Sequence, residues 1–264
     1  MDVEKKINQL QDKIDKRKDR EKRSEDRDAF QRVFDSRTIE TLQKFLRNLK
    51  IEEIIGIISQ GKEANVFFAY GANRQPVAIK IYKIDIQSAR WMKKYIKGDP
   101  RFKKIGKSPD KVIFAWCKKE YRNLKQIYDR TALYCPEPLY SRNNILIMTY
   151  IGDPDGTPAR KLKDMADKIE DPVKELNTTL EIVKNLYRRA NLVHADLSEF
   201  NILYYKEKQY VIDVSQAVST HHPKALLFLS RDIANCIDFY KRFNIQVPDP
   251  LEVYRDIIGV ENNK

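Results

Sequence analysis

With 264 residues, 42% of them hydrophobic and 10% aromatic, the chain has enough apolar material for one bilobal unit or two small domains, which excludes wholesale disorder. Its 50 Lys and Arg outnumber 38 Asp and Glu, and the formal charge of +12 favours a polyanionic partner such as nucleic acid or a nucleotide. Cys117, Cys135 and Cys236 lie far apart with no CxxC pair, which argues against both a disulfide framework and a zinc site and fits a reducing cytosol.

The opening MDVEKKINQL carries charges where a signal peptide needs an apolar core, and no run approaches the roughly 18 apolar residues of a membrane span. A cytoplasmic protein with no membrane partner is expected. Val3, Ile7, Leu10 and Ile14 recur at helical intervals through a mixed-charge segment, and Phe30, Val33, Phe34, Leu42, Phe45, Leu46 and Leu49 continue the period around Thr38. Residues 1–50 therefore read as an N-terminal helical extension. From Ile51 the period changes: IIGIIS, ANVFFAY and PVAIKIYK are short, β-branched or aromatic, and separated by QGKE and GANRQP turn chemistry, which predicts three antiparallel strands.

Between Lys83 and Lys111 stand ten Lys or Arg against three Asp, a basic insertion that reads either as a solvated loop or as an RNA-facing surface. VIFAWCKKEYRNLKQIY follows as a helix with one face charged and one buried, and ILIMTYIG as a buried strand ending at Gly152. Asp171-Pro172 starts a helix bearing Leu176, Leu180, Val183 and Leu186. The segment VHADLSEFNIL comes next, then YVIDVSQAV as a strand interrupted by Asp213, and finally a helix from His222-Pro223 with Leu226, Phe228, Leu229, Ile233, Ile237 and Tyr240.

The chemistry-bearing residues fall in the order of the phosphoryl-transfer template of protein kinases: a glycine turn between two strands, a strand lysine, a helix carboxylate, HxDxxxxN and a strand-borne aspartate. Lys80 alternates with Val77, Ile79 and Ile81, so it projects from the opposite face of its strand, where it would neutralise the inner phosphates of ATP. Alone it would read as an exposed edge lysine. Glu120, on the following helix, is the best ion-pair partner, although other carboxylates would serve. Asp196 would accept or orient the proton of an attacking hydroxyl, and Asn201 would ligate magnesium through its side-chain oxygen. Each in isolation is an ordinary turn residue. Asp213 shifts the balance, because a carboxylate inside an apolar strand is costly unless it is paired or binds a metal. Magnesium takes carboxylate, carbonyl and phosphate oxygens, so neither His nor Cys is required. His194 fits a structural task, donating a hydrogen bond that fixes the loop. Met148, Thr149, Tyr150 and Ile151, where a strand passes into the connection between lobes, leave backbone groups for a purine edge; on composition Met148 is equally a core residue.

The strings GKEANV, AIKIYK, KKEYRNL, CPEP, VHADLSEFNIL and IDVSQAV, with HHP and FLSRDIANCIDFY after them, resemble the RIO family of atypical protein kinases from about Ile51 to Phe243, its first subfamily more than its second. The first 50 residues are too short for the winged helix of the second. The resemblance implies an α+β, bilobal kinase-like fold: an antiparallel-sheet N-lobe over 51–152, with the basic insertion at 83–111 and the hinge, and a reduced helical C-lobe over 153–264. It implies that Asp196 is the catalytic aspartate, that Asn201 and Asp213 are metal ligands, and that Lys80, with Glu120, contacts the nucleotide. Ser59, Gly61, Lys62 and Glu63 fall in the phosphate-binding turn, with Gln60 where the family's STGKEA string has threonine.

SQGKEA lacks GxGxxG, IDVS replaces DFG, and the 51 residues after Asp213 hold no APE string, which predicts poor phosphorylation of arbitrary peptides. The resemblance implies a serine/threonine kinase or ATPase that uses ATP and Mg2+, with Mn2+ as a substitute, autophosphorylates with Ser108 as one candidate acceptor, and acts in maturation of the small ribosomal subunit. A second reading is an ATP-switched assembly factor whose hydrolysis times its release from a pre-ribosomal, RNA-containing particle. A third, a small-molecule phosphotransferase, is short of chain for a substrate pocket.

Overall fold

The computed structural model describes residues 36–259 other than Leu49, Lys103, Lys104 and Lys107; the stripe expected over residues 1–28, with Phe30, Val33 and Phe34, lies outside them. Two units interleave along the chain. The first comprises residues up to Lys94, Ile105–Tyr121 and Pro138–Pro158, and the second Tyr95–Lys104, Arg122–Glu137 and the chain from Ala159.

The first unit is built on a five-stranded antiparallel sheet of β1 (Glu53–Gln60), β2 (Ala64–Tyr70), β3 (Pro76–Tyr82), β4 (Pro138–Arg142) and β5 (Ile145–Thr149), in the order β1-β2-β3-β5-β4. Alternation sorts its faces. Phe67 pairs with Ile79 and Ile79 with Ile147, so these side chains share one face, where Val77, Ile81 and Ile145 join them. Leu42 and Phe45 of helix α1 (Ser36–Arg47) complete this core, each stabilising it by about 2 kcal/mol. Polar ties fix the helix to the β4–β5 turn: Asn144 Nδ2 donates to Thr38 Oγ1 at 2.7 Å and Asn143 Nδ2 to Thr41 Oγ1 at 2.8 Å.

Two readings of this region need correction. The strand β4 was not expected, because PLYSR begins with proline and, on an edge, buries only that proline, its other residues being half-buried or exposed. The basic insertion is not a solvated loop: it contains helix α2 (Ile86–Ile96), with Ala89, Met92 and Ile96 buried and Trp91 edge-on to Trp116 at 5.6 Å. Its many lysines mask an i, i+3, i+7 apolar stripe. Helix α3 (Pro109–Arg130) runs from the first unit into the second, and its expected charged face is buried too, since Lys119, Glu120 and Asn123 are all 1% exposed or less.

In the second unit, β6 (Arg160–Lys161), β8 (Ile202–Tyr205) and β9 (Lys208–Val211) form one small sheet, and β7 (Leu192–Val193) pairs with β10 (Val218–Ser219). Helices α4 (Pro172–Arg188), α5 (Ala225–Lys241) and α6 (Pro250–Ile258) supply its bulk. Asp171 caps α4 by accepting from Lys174 N at 3.0 Å, and Asp249 caps α6 by accepting from Leu251 N at 2.8 Å. Leu176, Val183, Leu186, Leu229, Ile233 and Ile237 form the apolar core. A saturated polar cluster crosses it: Gln209 Nε2 donates to Glu175 Oε2 at 2.7 Å, and Thr179 Oγ1 donates to Gln209 Oε1 at 2.7 Å. Among the described residues no helix is long and apolar enough to cross a membrane.

Candidate active site

The sequence-selected residues gather in two places, one in each unit. In the first, Gly61–Glu63 join β1 to β2, with Ser59 still paired opposite Val66 at the end of β1 rather than in the turn, and Gly61 N donates to Ala64 O at 2.9 Å. A side chain at Gly61 would bring its Cβ to 3.0 Å from that same carbonyl, so the tight turn favours glycine. Lys83 closes the turn from β3's end, its backbone N donating to Glu63 O at 2.8 Å and its Nζ to Gly61 O at 2.6 Å. Ser59, Gly61 and Lys62 remain exposed.

Lys80 pairs with Val66 and Leu146 on the sheet face opposite the apolar core. Its Nζ lies 2.8 Å from Glu120 Oε1, and Tyr82 OH donates to the other carboxylate oxygen. This three-group cluster is almost dry, with the Lys80 and Glu120 side chains 9% and 1% exposed. Met148 and Thr149 still pair within the sheet, opposite Ala78 and Val77, while Tyr150 and Ile151 follow it. The Tyr150 ring packs on Phe68 at 4.7 Å and its hydroxyl donates to Gly156 O at 2.7 Å, so that side chain has a structural role. The cysteines are inert: burial pushes Cys117 and Cys135 up to about 12 and Cys236 well above its ordinary value.

In the second unit, the loop between β7 and β8 carries Asp196 and Asn201. Asn201 Nδ2 donates to Asp196 O at 2.8 Å, which leaves its Oδ1 as the acceptor a cation would use, and its backbone O accepts from Ile212 N at 3.1 Å. That last bond ties the Asp196 loop to the segment holding Asp213. Ser215 Oγ donates to Asp213 Oδ1 at 3.0 Å, and Gln216 Nε2 to Asp196 Oδ2 at 2.9 Å. Asp213 is not in a strand as expected. Strand β9 ends at Val211, and Asp213 adopts φ +56, a left-handed conformation that turns its exposed carboxylate out of the ladder. The apolar residues around it in sequence bury their own side chains while the backbone turns.

Burial raises Asp196 above the ordinary carboxylate range, and the charge of Asp213 adds to the rise; His194, Arg231 and Asn201 act against it. A divalent cation would relieve that repulsion. His194 does what the sequence suggested: its Nε2 lies 3.1 Å from Ile212 O and donates to it. Among the described residues no three His, Cys, Asp or Glu form a metal cluster. Two carboxylates with one carboxamide, needing phosphate oxygens to complete the shell, are the donor set that suits magnesium.

Asp232 was missed. It is 1% exposed and accepts from Ala195 N at 2.8 Å and Leu197 N at 3.0 Å, the two amides that flank Asp196. Arg231 donates to Ala195 O, and together these contacts hold Ala195 at φ +66. Burial pushes Asp232 up to about 6 despite those hydrogen bonds. The signal was in FLSRDIANCIDFY, a charged pair inside an apolar helical run, which is the argument that singled out Asp213.

A family model described as the RIO domain matches residues 65–254. The RIO-type serine/threonine-protein kinase Rio1 of Haloferax volcanii is 39% identical over 239 residues, covering 88% of this chain and 81% of that protein. The serine/threonine-protein kinase rio1 of Dictyostelium discoideum is 37% identical over 266 residues, or 99% of this chain, which spans only 46% of that relative. Among solved structures, the Rio2 kinase–ADP/Mg2+–phosphoaspartate complex of Chaetomium thermophilum matches with a TM-score of 0.65 at 19% identity, over 86% of this chain and 66% of that one, a likeness of fold. The kinase-like α+β fold expected from the sequence is thereby established. Matched by that domain over most of its length, and this similar to Rio1 kinases from an archaeon and a eukaryote, the chain belongs to the RIO family of atypical serine/threonine protein kinases, among its Rio1 members.

Proposed function

We propose that the chain transfers the γ-phosphoryl group of ATP to a serine or threonine hydroxyl, its own included, in a Mg2+-dependent reaction. Bound Mg2+ would screen the phosphate charges, with Asn201 Oδ1 and Asp213 holding it. Asp196 orients the attacking hydroxyl and takes its proton as the oxygen–phosphorus bond forms and ADP leaves. Lys80, held by Glu120, neutralises the inner phosphates, the end of β1 and the turn after it, Ser59–Glu63, contribute backbone amides, and backbone groups of Met148–Ile151 take the purine edge. The observation that carries this reading is the Asp196–Asn201–Asp213 constellation, hydrogen-bonded through the Ile212–Asn201 and Gln216–Asp196 contacts. Asp196→Asn is expected to lower phosphate transfer from labelled ATP by on the order of a thousand-fold or more, the loss of a catalytic acid/base together with its charge. Unchanged turnover would refute the assignment.

A second reading is ATP hydrolysis that times release from a pre-ribosomal small-subunit particle. The phosphoaspartate in the Chaetomium relative favours hydrolysis through an aspartyl phosphate, and Asp213, the more exposed of the two carboxylates, is the better acceptor here. The surplus of basic residues between Lys83 and Lys111 would suit RNA. Turnover stimulated by pre-ribosomal particles rather than by a protein substrate would select this reading.

A further inference from the structure

The part of the basic insertion from Tyr95 to Lys104 belongs to the second unit, and within it Arg101 is gripped by a buried carboxylate. Arg101 Nε donates to Asp99 Oδ1 at 2.9 Å and Nη2 to Asp99 Oδ2 at 2.7 Å, a two-point contact that fixes the plane of the guanidinium. The remaining Nη1 donates to Asn123 Oδ1 at 2.7 Å. Asn123 is fully buried, and its Nδ2 donates to Val214 O at 2.7 Å and to Ala217 O at 3.0 Å. Its one amide oxygen and both amide hydrogens are thus engaged, so the direction in which it grips those carbonyls is set by Arg101.

The two carbonyls belong to the turn that follows Asp213, closed by Ala217 N donating to Val214 O at 3.2 Å. This turn carries contacts to both acidic groups, Ser215 to Asp213 and Gln216 to Asp196. It also adjoins a backbone at φ +56, a conformation that persists only where its surroundings hold it. On the upstream side Ile212 N donates to Asn201 O and Ile212 O accepts from His194 Nε2; on the downstream side Asn123 grips Val214 O and Ala217 O.

We propose that Arg101 is a positioning residue for the divalent-cation site: acting through Asn123, it fixes the Val214–Ala217 turn and so aims Asp213 and Asp196. The inference rests on the proposed role of those carboxylates in holding Mg2+. It gives the insertion a task inside the second unit that does not depend on its net charge.

The test is a titration of the full chain with the fluorescent nucleotide mant-ADP against Mg2+, with bound Mn2+ counted by electron paramagnetic resonance. Arg101→Met keeps the apolar stem and removes every donor. It is expected to raise the Mg2+ concentration at half-saturation by on the order of ten-fold, as the loss of an outer-shell partner does, with Arg101→Lys recovering part of the loss. A role confined to stability would lower the urea midpoint and leave the half-saturation point unmoved, and that result overturns the proposal. Should Arg101→Met not fold, Asp99→Asn, which loosens the guanidinium but leaves its charge, is read in the same way: a shift supports the role and its absence overturns it. Asp213→Asn is measured in parallel. If it too leaves half-saturation unmoved, the cation assignment itself falls; if it moves it while Arg101→Met does not, only the positioning role falls.

Discussion

The two polar clusters solve opposite problems. In the first unit, Lys80, Glu120 and Tyr82 are sealed from water and satisfy one another, so the cluster is bound into the stability of the unit. In the second, Asp213 is exposed, Asp196 is half-buried with its pKa raised, and the supporting hydrogen bonds come from backbone amides and from Gln216, Ser215 and Asp232. A buried ion pair loses heavily when one partner goes, because the other is left as an uncompensated charge. An acid held near a second acid is already destabilised, and neutralising it costs the fold little. Function and stability should therefore separate in the second unit and travel together in the first.

The largest expected effect is on the dry cluster. Glu120→Leu removes the buried carboxylate that both the Lys80 ammonium and the Tyr82 hydroxyl engage, and urea unfolding should show a loss of about 3–5 kcal/mol. Lys80→Met should cost clearly less, since Tyr82 still donates to Glu120 and the carboxylate can take up a proton. Equal losses from the two would mean that Tyr82 contributes nothing to the cluster.

The next effect sharpens the contrast by pH. Asp232 has its folded pKa raised to about 6 by burial, above the ordinary 3.8 of the unfolded chain. The native state then holds the extra proton between those values, so this group makes the protein more stable as pH falls from 7 towards 4, by at most about 1.4 kcal/mol per pH unit. Asp196, raised by the same cause, acts in the same direction. Carboxylates with lowered values, such as Asp110 and Asp256, lie at the surface and act at more acid pH, in the opposite sense. Asp232→Asn should flatten the slope of urea stability between pH 7 and 5 and also reduce turnover, because one of the two oxygens that accept from Ala195 N and Leu197 N becomes an NH2 group, a donor facing a donor. A slope unchanged in the variant would show that Asp232 does not titrate there.

This contrast also explains what was legible in the sequence. Strands β1, β2 and β3 and the capped helix α4 follow from local signals, alternation and Asp-Pro, and those signals agree with the tertiary core. Helix α2 did not show, since its lysines outvoted Ala89, Met92 and Ile96 in any composition-based reading. The Lys80–Glu120 contact was readable because the order of strand and helix limits the choice, whereas Tyr82 was hidden among the apolar residues of its strand. Asp196, Asn201 and Asp213 stand out by motif. Their supports do not, because Asp232 reaches backbone amides 35 and 37 positions away and Asn123 reaches carbonyls 91 and 94 positions away, distances that no local pattern encodes.

The smallest effect tests whether stability alone can move the site. Asp171 caps α4 through Lys174 N, at an exposed helix end far along the chain from either acidic loop. Asp171→Ala should lower unfolding free energy by about 1 kcal/mol, the usual value of such a cap. It removes no hydrogen bond to Asp196, Asn201, Asp213 or the turn between Val214 and Ala217, so the Mg2+ dependence of mant-ADP binding should stay at its original half-saturation. Asp213→Asn should do the converse, weakening the Mg2+ dependence with little loss in urea stability, because it relieves the repulsion that adds to burial in raising Asp196. If the cap variant shifted the cation titration as strongly, the acidic loops would be reporting the general looseness of their unit, and the separation of function from stability drawn here for the second unit would not hold.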